Sequence, residues 1–260
     1  MLDVKQLTGG YGERTIVKDV SFHVRENTML GILGPNGSGK STLLKMISGS
    51  LPIKSGTVHI AGRERSRYKS KELARKMAVL PQLNPHAFSH TVRDTVALGR
   101  YPYQSGIITS WSTKDEQAVQ FALTQTNIAH YAAHYLSDLS GGEQQRTFIA
   151  QALAQQSSLI LLDEPTNHLD LAHQQQVMEL LRRQVKKCGQ SVVSVFHDIN
   201  LAALYCDQLL LLQDGAVYAL GTPQEIITAE AIAAVYGVDV ACFTHPITGV
   251  PQITLKPLTE

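Results

Sequence analysis

The stretch Gly34-Pro-Asn-Gly-Ser-Gly-Lys40-Ser41-Thr42 decides the fold of this chain. It fits the pattern G-x-x-x-x-G-K-[ST], whose glycines let backbone N–H groups turn inward around phosphate oxygens. The apolar run Met29–Leu33 before it predicts a strand. After it, the apolar positions of Lys40–Ser48 share one face of a predicted helix that ends at Gly49. A strand, a glycine-rich loop and a helix in this order predict a phosphate-binding loop, or P-loop.

Every residue of this loop is a candidate nucleotide contact, and two of them carry defined chemistry. The ammonium group of Lys40 can reach β- and γ-phosphates, and the hydroxyl of Ser41 can ligate Mg²⁺. A fortuitous glycine-rich turn is the alternative, but the flanking strand and helix are the context that the motif requires. The predicted contacts are Gly34, Pro35, Asn36, Gly37, Ser38, Gly39, Lys40, Ser41 and Thr42.

Two further apolar runs end in side chains that suit phosphate chemistry. Leu159–Leu162 is followed by Asp163 and Glu164, and carboxylates at the end of a buried strand are costly unless partners compensate them. A metal ion and an attacking water would be such partners, with Asp163 on the Mg²⁺ side and Glu164 polarising the water. Ser191–Phe196 is followed by His197, whose neutral imidazole can hydrogen-bond a γ-phosphate. The other histidines are interpreted as ordinary core or surface residues.

A second predicted helix start has phosphate-binding features of its own. Ser140, Gly141 and Gly142 precede a predicted helix from Glu143 to about Ala154. A helix N-terminus with a hydroxyl group attached can bind an anion. A chain with one P-loop has no obvious need for a second γ-phosphate site. We therefore expect this segment to serve the nucleotide of another subunit.

The composition limits the kind of protein that this can be. The chain has 260 residues, of which 43% are hydrophobic and 17% charged, and a formal net charge of +1. These values favour a folded domain with a large core and give no basic excess for nucleic acid or an anionic membrane surface. The apolar runs are far shorter than the ~20 residues of a membrane-spanning helix, and Asp3, Lys5 and Gln6 stand where a signal peptide is apolar. We expect a cytoplasmic protein that binds no nucleic acid and whose three cysteines are reduced and mostly buried.

The remaining patterns predict a mixture of strands and helices. Alternating pieces over Leu2–Val24 indicate β-strands, and residues 70–153 have a helical texture. Within them, Thr113 and Glu116 stand at the spacing of a capping box. Asp214-Gly215 between two apolar runs predicts a tight β-hairpin.

Over nearly its whole length the sequence resembles the ATP-binding subunits of ABC transporters, because the motifs follow one another in the order typical of that family. Gly34–Thr42 resembles Walker A, Gln82 the Q-loop glutamine, Leu139–Arg146 the LSGGQ signature, Asp163-Glu164 Walker B with its catalytic glutamate, Leu169-Asp170 the D-loop and His197 the switch histidine. Tyr11 stands where the family has an aromatic residue that stacks on adenine.

The resemblance implies a fold and a set of roles. The fold is α/β: a P-loop NTPase core with a parallel sheet, an N-terminal antiparallel β subdomain and an inserted α-helical subdomain, all forming one ABC ATPase domain over residues 1–260. The core would comprise residues 1–85 and 155–260, and the helical subdomain residues 86–154. ATP and Mg²⁺ would be the cofactors, with Ser41, Gln82 and Asp163 as metal ligands and Glu164, His197 and Gln82 as catalytic residues.

The resemblance also implies partners. Two subunits pair head to tail around two ATP molecules, so that Ser140, Gly141, Gly142 and Asp170 of one subunit complete the nucleotide site of the other. The helical subdomain would hold a groove for a helix of a polytopic membrane permease. The chain would then lie at the cytoplasmic face of a bacterial inner or plasma membrane, attached through that permease.

Further segments resemble one group of importers, those for iron–siderophore complexes, haem and cobalamin. The segments are Thr91–Pro102, Glu164–Gln174, His197–Asp207 and His245–Pro251. We therefore predict the ATPase subunit of an importer of iron(III)–siderophore complexes, with haem or cobalamin as alternatives. A separate substrate-binding protein would deliver the substrate to the permease.

Two functions from other classes are alternatives. A soluble, non-transport ABC ATPase that acts on ribosomes or DNA usually carries two cassettes, coiled coils or basic arms, which this sequence lacks. A P-loop kinase or GTPase has no use for Ser140–Gly142. The role of residues 229–260 stays open between packing on a partner subunit and packing on the core.

Overall fold

The computed structural model describes residues 1–80, 90–104, 111–167 and 169–257. The strands are β1 (Leu2–Tyr11), β2 (Arg14–Val24), β3 (Met29–Leu33), β4 (Ile53–Ile60), β5 (Arg63–Glu64), β6 (Met77–Leu80), β7 (Leu159–Asp163), β8 (Ser191–Val195), β9 (Gln208–Gln213), β10 (Ala216–Gly221), β11 (Val240–Thr244) and β12 (Pro251–Leu255). The α-helices are α1 (Lys40–Ser48), α2 (Ser70–Lys76), α3 (Val92–Ala97), α4 (Thr113–Gln125), α5 (Gly141–Ala154), α6 (Leu171–Cys188), α7 (Ile199–Tyr205), α8 (Pro223–Ile226) and α9 (Ala229–Tyr236). The chain divides into a first unit, Met1–Arg65 with Ser191–Glu260, and a second unit, Ser66–Gln190.

An antiparallel sheet in the order β2-β1-β4-β5 belongs to the first unit. β1 pairs with β2 from Leu2↔Val24 to Tyr11↔Arg14, and with β4 on its other side. Leu2, Val4 and Leu7 of β1 are buried, because the alternating apolar positions of the strand face the core. This sheet is the predicted N-terminal antiparallel β part.

A second sheet of the first unit positions the P-loop. The four strands of this sheet that belong to the first unit lie in the order β10-β9-β3-β8, and β3 is parallel to both β8 and β9. Every residue of β3 is buried, as expected for a parallel strand covered on both faces. Asp214 and Gly215 join β9 to β10 with φ of 50° and 84°, the pair of left-handed residues that a type I′ hairpin requires.

The second unit contains a parallel strand pair and a helical part. β6 pairs with β7 from Met77↔Leu159 to Leu80↔Leu162, and α5 packs against α3, α4 and β6. A buried ion pair stabilises the helical part, since Arg100 Nε donates to Asp115 Oδ1 at 2.8 Å. Arg100 Nη1 also donates to the Ala154 carbonyl at 2.8 Å, which ties the segment before α4 to the end of α5.

The predicted α/β class, with parallel strands, an N-terminal antiparallel sheet and a helical part, is confirmed. β6 is an exception to the helical texture predicted for residues 70–153, because this apolar run has a parallel partner in β7. The capping box of α4 also differs, since it joins Ser112 and Asp115, one residue before the predicted Thr113 and Glu116. In the ranges given above, no helix combines the length and the apolar character needed to cross a lipid bilayer.

The cysteines correct a second expectation. Cys206 is buried, but Cys188 and Cys242 are exposed. Cys188 is the last residue of α6 and Cys242 lies in the two-stranded sheet of β11 and β12. The prediction of mostly buried thiols is therefore wrong for two of the three.

Candidate nucleotide-binding site

The P-loop follows the carboxyl end of β3 and leads directly into α1. Gly34, Gly37 and Gly39 have φ of 149°, 84° and 98°, values that residues with a Cβ rarely adopt. Steric exclusion also requires glycine at position 34, because a Cβ there would lie 2.3 Å from the Leu212 carbonyl oxygen. Glycine is therefore required at this end of the loop for steric as well as conformational reasons.

Lys40 lies inside the loop. The residue is 5% exposed, and its Nζ donates to the carbonyl oxygens of Gly34 at 2.8 Å and Pro35 at 3.0 Å. A buried ammonium group is stable only with such partners. Because both carbonyls belong to the loop, a phosphate that enters it meets a cation that is already in place.

Ser38 shows that the loop fits a phosphate group. The residue is 3% exposed, and its Oγ has no hydrogen-bond partner within the described ranges. A buried hydroxyl without a partner is costly, and a phosphate oxygen would supply one. The start of α1 adds the positive end of a helix dipole, which favours an anion. The residues present therefore fit the phosphates of a nucleotide.

Two contacts from the C-terminal part of the first unit hold the loop at its two ends. The N–H of Gly34 donates to the hydroxyl of Tyr236 at 2.8 Å, and the N–H of Gly215 donates to the carbonyl of Ser38 at 3.2 Å. Burial raises the pKa of Tyr236 to about 12, so that the phenol is protonated near neutral pH. The sequence predicted the turn at Gly215 but gave no signal for Tyr236.

Tyr11 and His197 belong to the same unit as the loop. Tyr11 ends β1 with half of its surface exposed, and its hydroxyl accepts a hydrogen bond from Lys45 Nζ of α1 at 3.4 Å. His197 is exposed and lies just beyond β8. Because β3 and β8 are parallel neighbours, His197 and Gly34 follow carboxyl ends at the same edge of the sheet.

The second unit holds the two predicted carboxylates. Asp163 is the last residue of β7 and is 5% exposed. Glu164 follows with φ of 56°, a left-handed conformation that costs a residue with a Cβ about 1–2 kcal/mol. The side-chain amide of Asn167 donates a hydrogen bond to the Glu164 carboxylate. Strained residues of this kind cluster at functional sites, and the bond from Asn167 restricts where the carboxylate can point.

Ser140 is the N-cap of α5, and this helix start is open to solvent. Ser140 and Gly141 are exposed. The backbone N–H and the Oγ of Ser140 donate to Glu143 Oε2 at 2.8 and 2.7 Å, while the Oγ accepts from the Glu143 N–H at 3.4 Å. Gln145 Nε2 donates to the Pro165 carbonyl at 3.0 Å, which links the helix to the turn that follows β7.

Glu143 places a charged carboxylate at the start of α5, which the sequence patterns did not lead us to predict. Hydrogen bonds from Tyr131 and Ser140 lower the pKa of Glu143 to about 2. The carboxylate is therefore charged near neutral pH and lies in the first turn of α5, where the positive end of the helix dipole stabilises it. The signal was present in the sequence, because Ser140 and Glu143 stand at capping-box spacing.

Asp170 lies next to the start of α5. Its Oδ1 accepts from the His173 backbone N–H at 2.8 Å and lies 2.7 Å from His173 Nδ1, and these bonds lower the pKa of Asp170. A Cβ on Gly142 would lie 3.3 Å from the Leu169 side chain. The segments Ser140–Gly142 and Leu169-Asp170 are therefore neighbours in the second unit.

Gln82 lies outside the described residues, so its predicted roles remain predictions. The other predicted residues fall into two groups. The first unit contains the P-loop, Tyr11 and His197, and the second unit contains Ser140, Gly141, Gly142, Asp163, Glu164 and Asp170.

Comparisons with known proteins agree with one another. A family model described as "ABC transporter" matches residues 17–167. Over 96% of its length the chain is 47% identical to the uncharacterized ABC transporter ATP-binding protein YvrA of Bacillus subtilis, of which it spans 57%. It is 39% identical to the ferric enterobactin transport ATP-binding protein FepC of Escherichia coli, over 96% of this chain and 92% of FepC.

A solved structure supports the same fold. It is the dimeric structure of a post-hydrolysis state of the ATP-binding cassette MJ0796, bound to ADP and Pi. The TM-score is 0.73 and the identity 30%, over 85% of this chain and 98% of the other. The fold described above is therefore that of an ATP-binding cassette.

Proposed function

The chain belongs to the ABC transporter family and is an ATPase of that family, and from this premise we propose that it powers the import of iron(III)–siderophore complexes. One observation carries the mechanistic part of the proposal: the chain has two helix starts suited to phosphate, the P-loop before α1 and the exposed Ser140–Gly142 before α5. A nucleotide in the P-loop uses only the first. The second is suited to the nucleotide of another copy.

In the proposed cycle the P-loop binds the phosphates of ATP. Lys40 Nζ exchanges a carbonyl partner, Gly34 or Pro35, for a phosphate oxygen. The ammonium group stays paired during this exchange, and the new acceptor is charged, which makes the hydrogen bond stronger. Ser38 Oγ and the backbone N–H groups of the loop bind further phosphate oxygens. The exposed ring of Tyr11 stacks on the adenine.

Hydrolysis is assigned to side chains near the ends of strands, foremost Glu164 after β7 and His197 after β8. Glu164 polarises the water that attacks the γ-phosphorus atom, and His197 hydrogen-bonds the γ-phosphate. Gln82 is proposed to relate the state of the γ-phosphate to the helical subdomain. Mg²⁺, held by Ser41, Gln82 and Asp163, would neutralise the negative charge that develops on the phosphate oxygens.

A second copy of the chain completes the site in this proposal. The similar cassette bound to ADP and Pi is dimeric, which supports a pair of copies, and the exposed Ser140 and Gly141 favour a head-to-tail arrangement of the two. Ser140 Oγ, which donates to Glu143 in the single chain, would turn its hydrogen bond toward the γ-phosphate of the partner's ATP. Glu143 keeps its bond from Tyr131 in that event. Asp170 lies beside this segment and would contact the same nucleotide.

The transport part of the proposal rests on relatives and on the importer-like segments. FepC is named for ferric enterobactin transport, which supports an iron(III)–siderophore as the substrate class. The chain would bind a polytopic permease through its helical subdomain, residues 86–154, with residues 1–85 and 155–260 as the catalytic core. It would lie at the cytoplasmic face of a bacterial membrane, and a separate binding protein would deliver the substrate.

Glu164→Gln tests the hydrolytic mechanism. The variant should bind ATP, hydrolyse it at least about 100-fold more slowly than the parent, and elute as a dimer in the presence of ATP, since loss of a positioned base costs about 10²–10⁴ in rate. Size-exclusion chromatography and phosphate release measure these outcomes. Glu26→Gln, at an exposed turn between β2 and β3, is the matched control. Turnover of Glu164→Gln at the parent rate would show that the role given to Glu164 is wrong.

Uptake by vesicles tests the substrate. The chain should co-purify with a polytopic membrane protein, and the reconstituted complex should accumulate an iron(III)–siderophore in an ATP-dependent manner when its binding protein is present. Uptake of haem or cobalamin instead would replace the substrate but keep the importer. Failure to co-purify with any membrane protein would favour a non-transport ATPase.

A further inference from the structure

Tyr236 connects the C-terminal part of the chain to the first residue of the P-loop. Its hydroxyl accepts the Gly34 N–H at 2.8 Å across 202 positions of sequence. Gly34 is held on its other side as well, because its carbonyl accepts the hydrogen bond from Lys40 Nζ at 2.8 Å. Gly34 therefore connects Tyr236 to Lys40, the lysine that is proposed to bind phosphate.

The hydroxyl of Tyr236 is itself firmly placed. It lies on the last residue of α9, which is capped at its start by Thr228 and at its end by Gly237. Ile232 and Val235 of the helix are buried, and Gln213 Nε2 donates to the Ala234 carbonyl at 3.0 Å. The helix is thus fixed to the end of β9 independently of the bond to Gly34.

The far end of the loop has a comparable restraint. Gly215 donates its N–H to the Ser38 carbonyl at 3.2 Å and accepts a hydrogen bond from the Lys18 N–H at 2.8 Å. The β9–β10 hairpin and α9 therefore hold the loop at Ser38 and Gly34, its two ends. Because Ile232 and Val235 are buried, α9 packs on the core of its own chain.

We propose that Tyr236 is a positioning residue for nucleotide binding, which sets the first peptide of the P-loop so that Gly34 can present Lys40 to the phosphates. This inference rests on the proposed function, since it assumes that ATP binds in the loop. Tyr236 would act through Gly34 and not by contact with the nucleotide. Without its hydroxyl, the Gly34 N–H loses its acceptor and the loop samples conformations that bind phosphate less well.

Tyr236→Phe should therefore change binding rather than chemistry. Kd for ATP and for ADP should both rise, roughly 2- to 10-fold, as expected from the net contribution of one hydrogen bond. KM for ATP should rise by a similar factor, while kcat at saturating ATP stays within about twofold of the parent, because Glu164 is untouched. Amide hydrogen exchange at Gly34 should become faster, which reports the lost bond directly.

Tyr218→Phe is the matched control, because Tyr218 lies half-exposed on β10 in the same unit and undergoes the same chemical change. Its Kd, KM and Gly34 exchange should equal those of the parent. Unchanged Kd in Tyr236→Phe, or a fall in kcat with an unchanged KM, would overturn the proposal, even with faster exchange at Gly34.

The remaining outcomes separate this inference from the proposed function. If the parent itself binds no ATP, the proposed function fails before Tyr236 is tested. If Tyr236→Phe does not fold, Gln213→Ala loosens the other anchor of α9 and should raise KM for ATP while preserving kcat. An unchanged KM in a folded Gln213→Ala protein would then overturn the inference.

Discussion

Arg100→Met should destabilise the helical part of the second unit more than any surface change. Arg100 donates to Asp115 Oδ1 at 2.8 Å, to the Ala154 carbonyl at 2.8 Å and to Gln156 Oε1 at 3.0 Å. Its guanidinium also lies 3.9 Å from the centroid of the Tyr103 ring. Methionine has a similar length but no donors, so Asp115 would become a buried carboxylate without its cation.

Removal of one partner from a buried pair costs about 3–5 kcal/mol. With a urea dependence of about 1–3 kcal/mol per molar, the midpoint of unfolding should fall by about 1 M or more. Trp111, the single tryptophan of the chain, is a local probe, because its Nε1 donates to Glu116 of α4 at 2.9 Å. Its fluorescence during urea titration measures the unfolding of this part.

The stability difference should depend on pH in a defined direction. Burial acts to raise the pKa of Asp115, but hydrogen bonds from Ser112 and Arg100 outweigh it and hold the pKa below its ordinary value of 3.8. Because the pKa of Asp115 is lower in the folded than in the unfolded protein, its carboxylate stabilises the fold above pH 3.8. This stabilisation is lost as the pH falls through the pKa of Asp115 in the folded protein. The difference between parent and Arg100→Met should be full at pH 7 and shrink in acid.

Arg93→Met is the matched control. Arg93 pairs with Glu116, and both side chains are more than one third exposed, so the loss should be below about 1 kcal/mol. Equal urea midpoints for Arg100→Met and Arg93→Met would show that the buried pair contributes no more stability than the exposed one. A deficit of Arg100→Met that is equally large at pH 7 and below pH 3.8 would show that the charge of Asp115 plays no part in it.

Two other changes test the P-loop and its surroundings. Lys40→Ala should lose at least about tenfold in affinity for ATP, because a charge-assisted hydrogen bond to phosphate contributes about 1.5–3 kcal/mol. Calorimetric titration measures this affinity. An unchanged affinity would mean that the loop is not the nucleotide site. Gly215→Ala should lower the unfolding temperature far more than Gly62→Ala. Both glycines have positive φ, of 84° and 78°, but a Cβ at Gly215 would lie 1.8 Å from the Ile16 carbonyl oxygen, whereas none of the atoms described lies within 4 Å of one at Gly62. Equal melting temperatures would show that the hairpin can move away from Ile16.

Local patterns predicted the part of the fold that carries the P-loop. β3 and α1 have the bounds expected from the sequence, Met29–Leu33 and Lys40–Ser48. The turn at Asp214-Gly215 also agrees. In each case the decisive signal is local: an apolar run, a glycine that must take positive φ, or a two-residue hairpin turn. Such requirements are met by neighbouring residues and can be read without the rest of the chain.

Contacts between distant segments could not be predicted in this way. No pattern in residues 229–236 pairs Tyr236 with Gly34, because the hydroxyl of a tyrosine can serve any donor that the fold brings near. β6 was missed because a run of four apolar residues has no hydrophobic periodicity that distinguishes a strand from a helix. It forms a strand because it pairs with β7. The start of α4 was displaced by one residue because Ser112 and Thr113 are both good caps, and the bond between Arg100 and Asp115 selects Ser112.

The β9–β10 hairpin has a practical consequence for anyone who wishes to label or split this protein. A two-residue hairpin tip is normally a safe place for an epitope tag or an inserted reporter domain. Here the tip is bonded to the backbone at Ser38 and Lys18, so an insertion at Asp214-Gly215 would pull on the P-loop. The turn between β11 and β12 is the better site, because Ile247 is 88% exposed and a Cβ at Gly249 would meet no atom of the described residues within 4 Å.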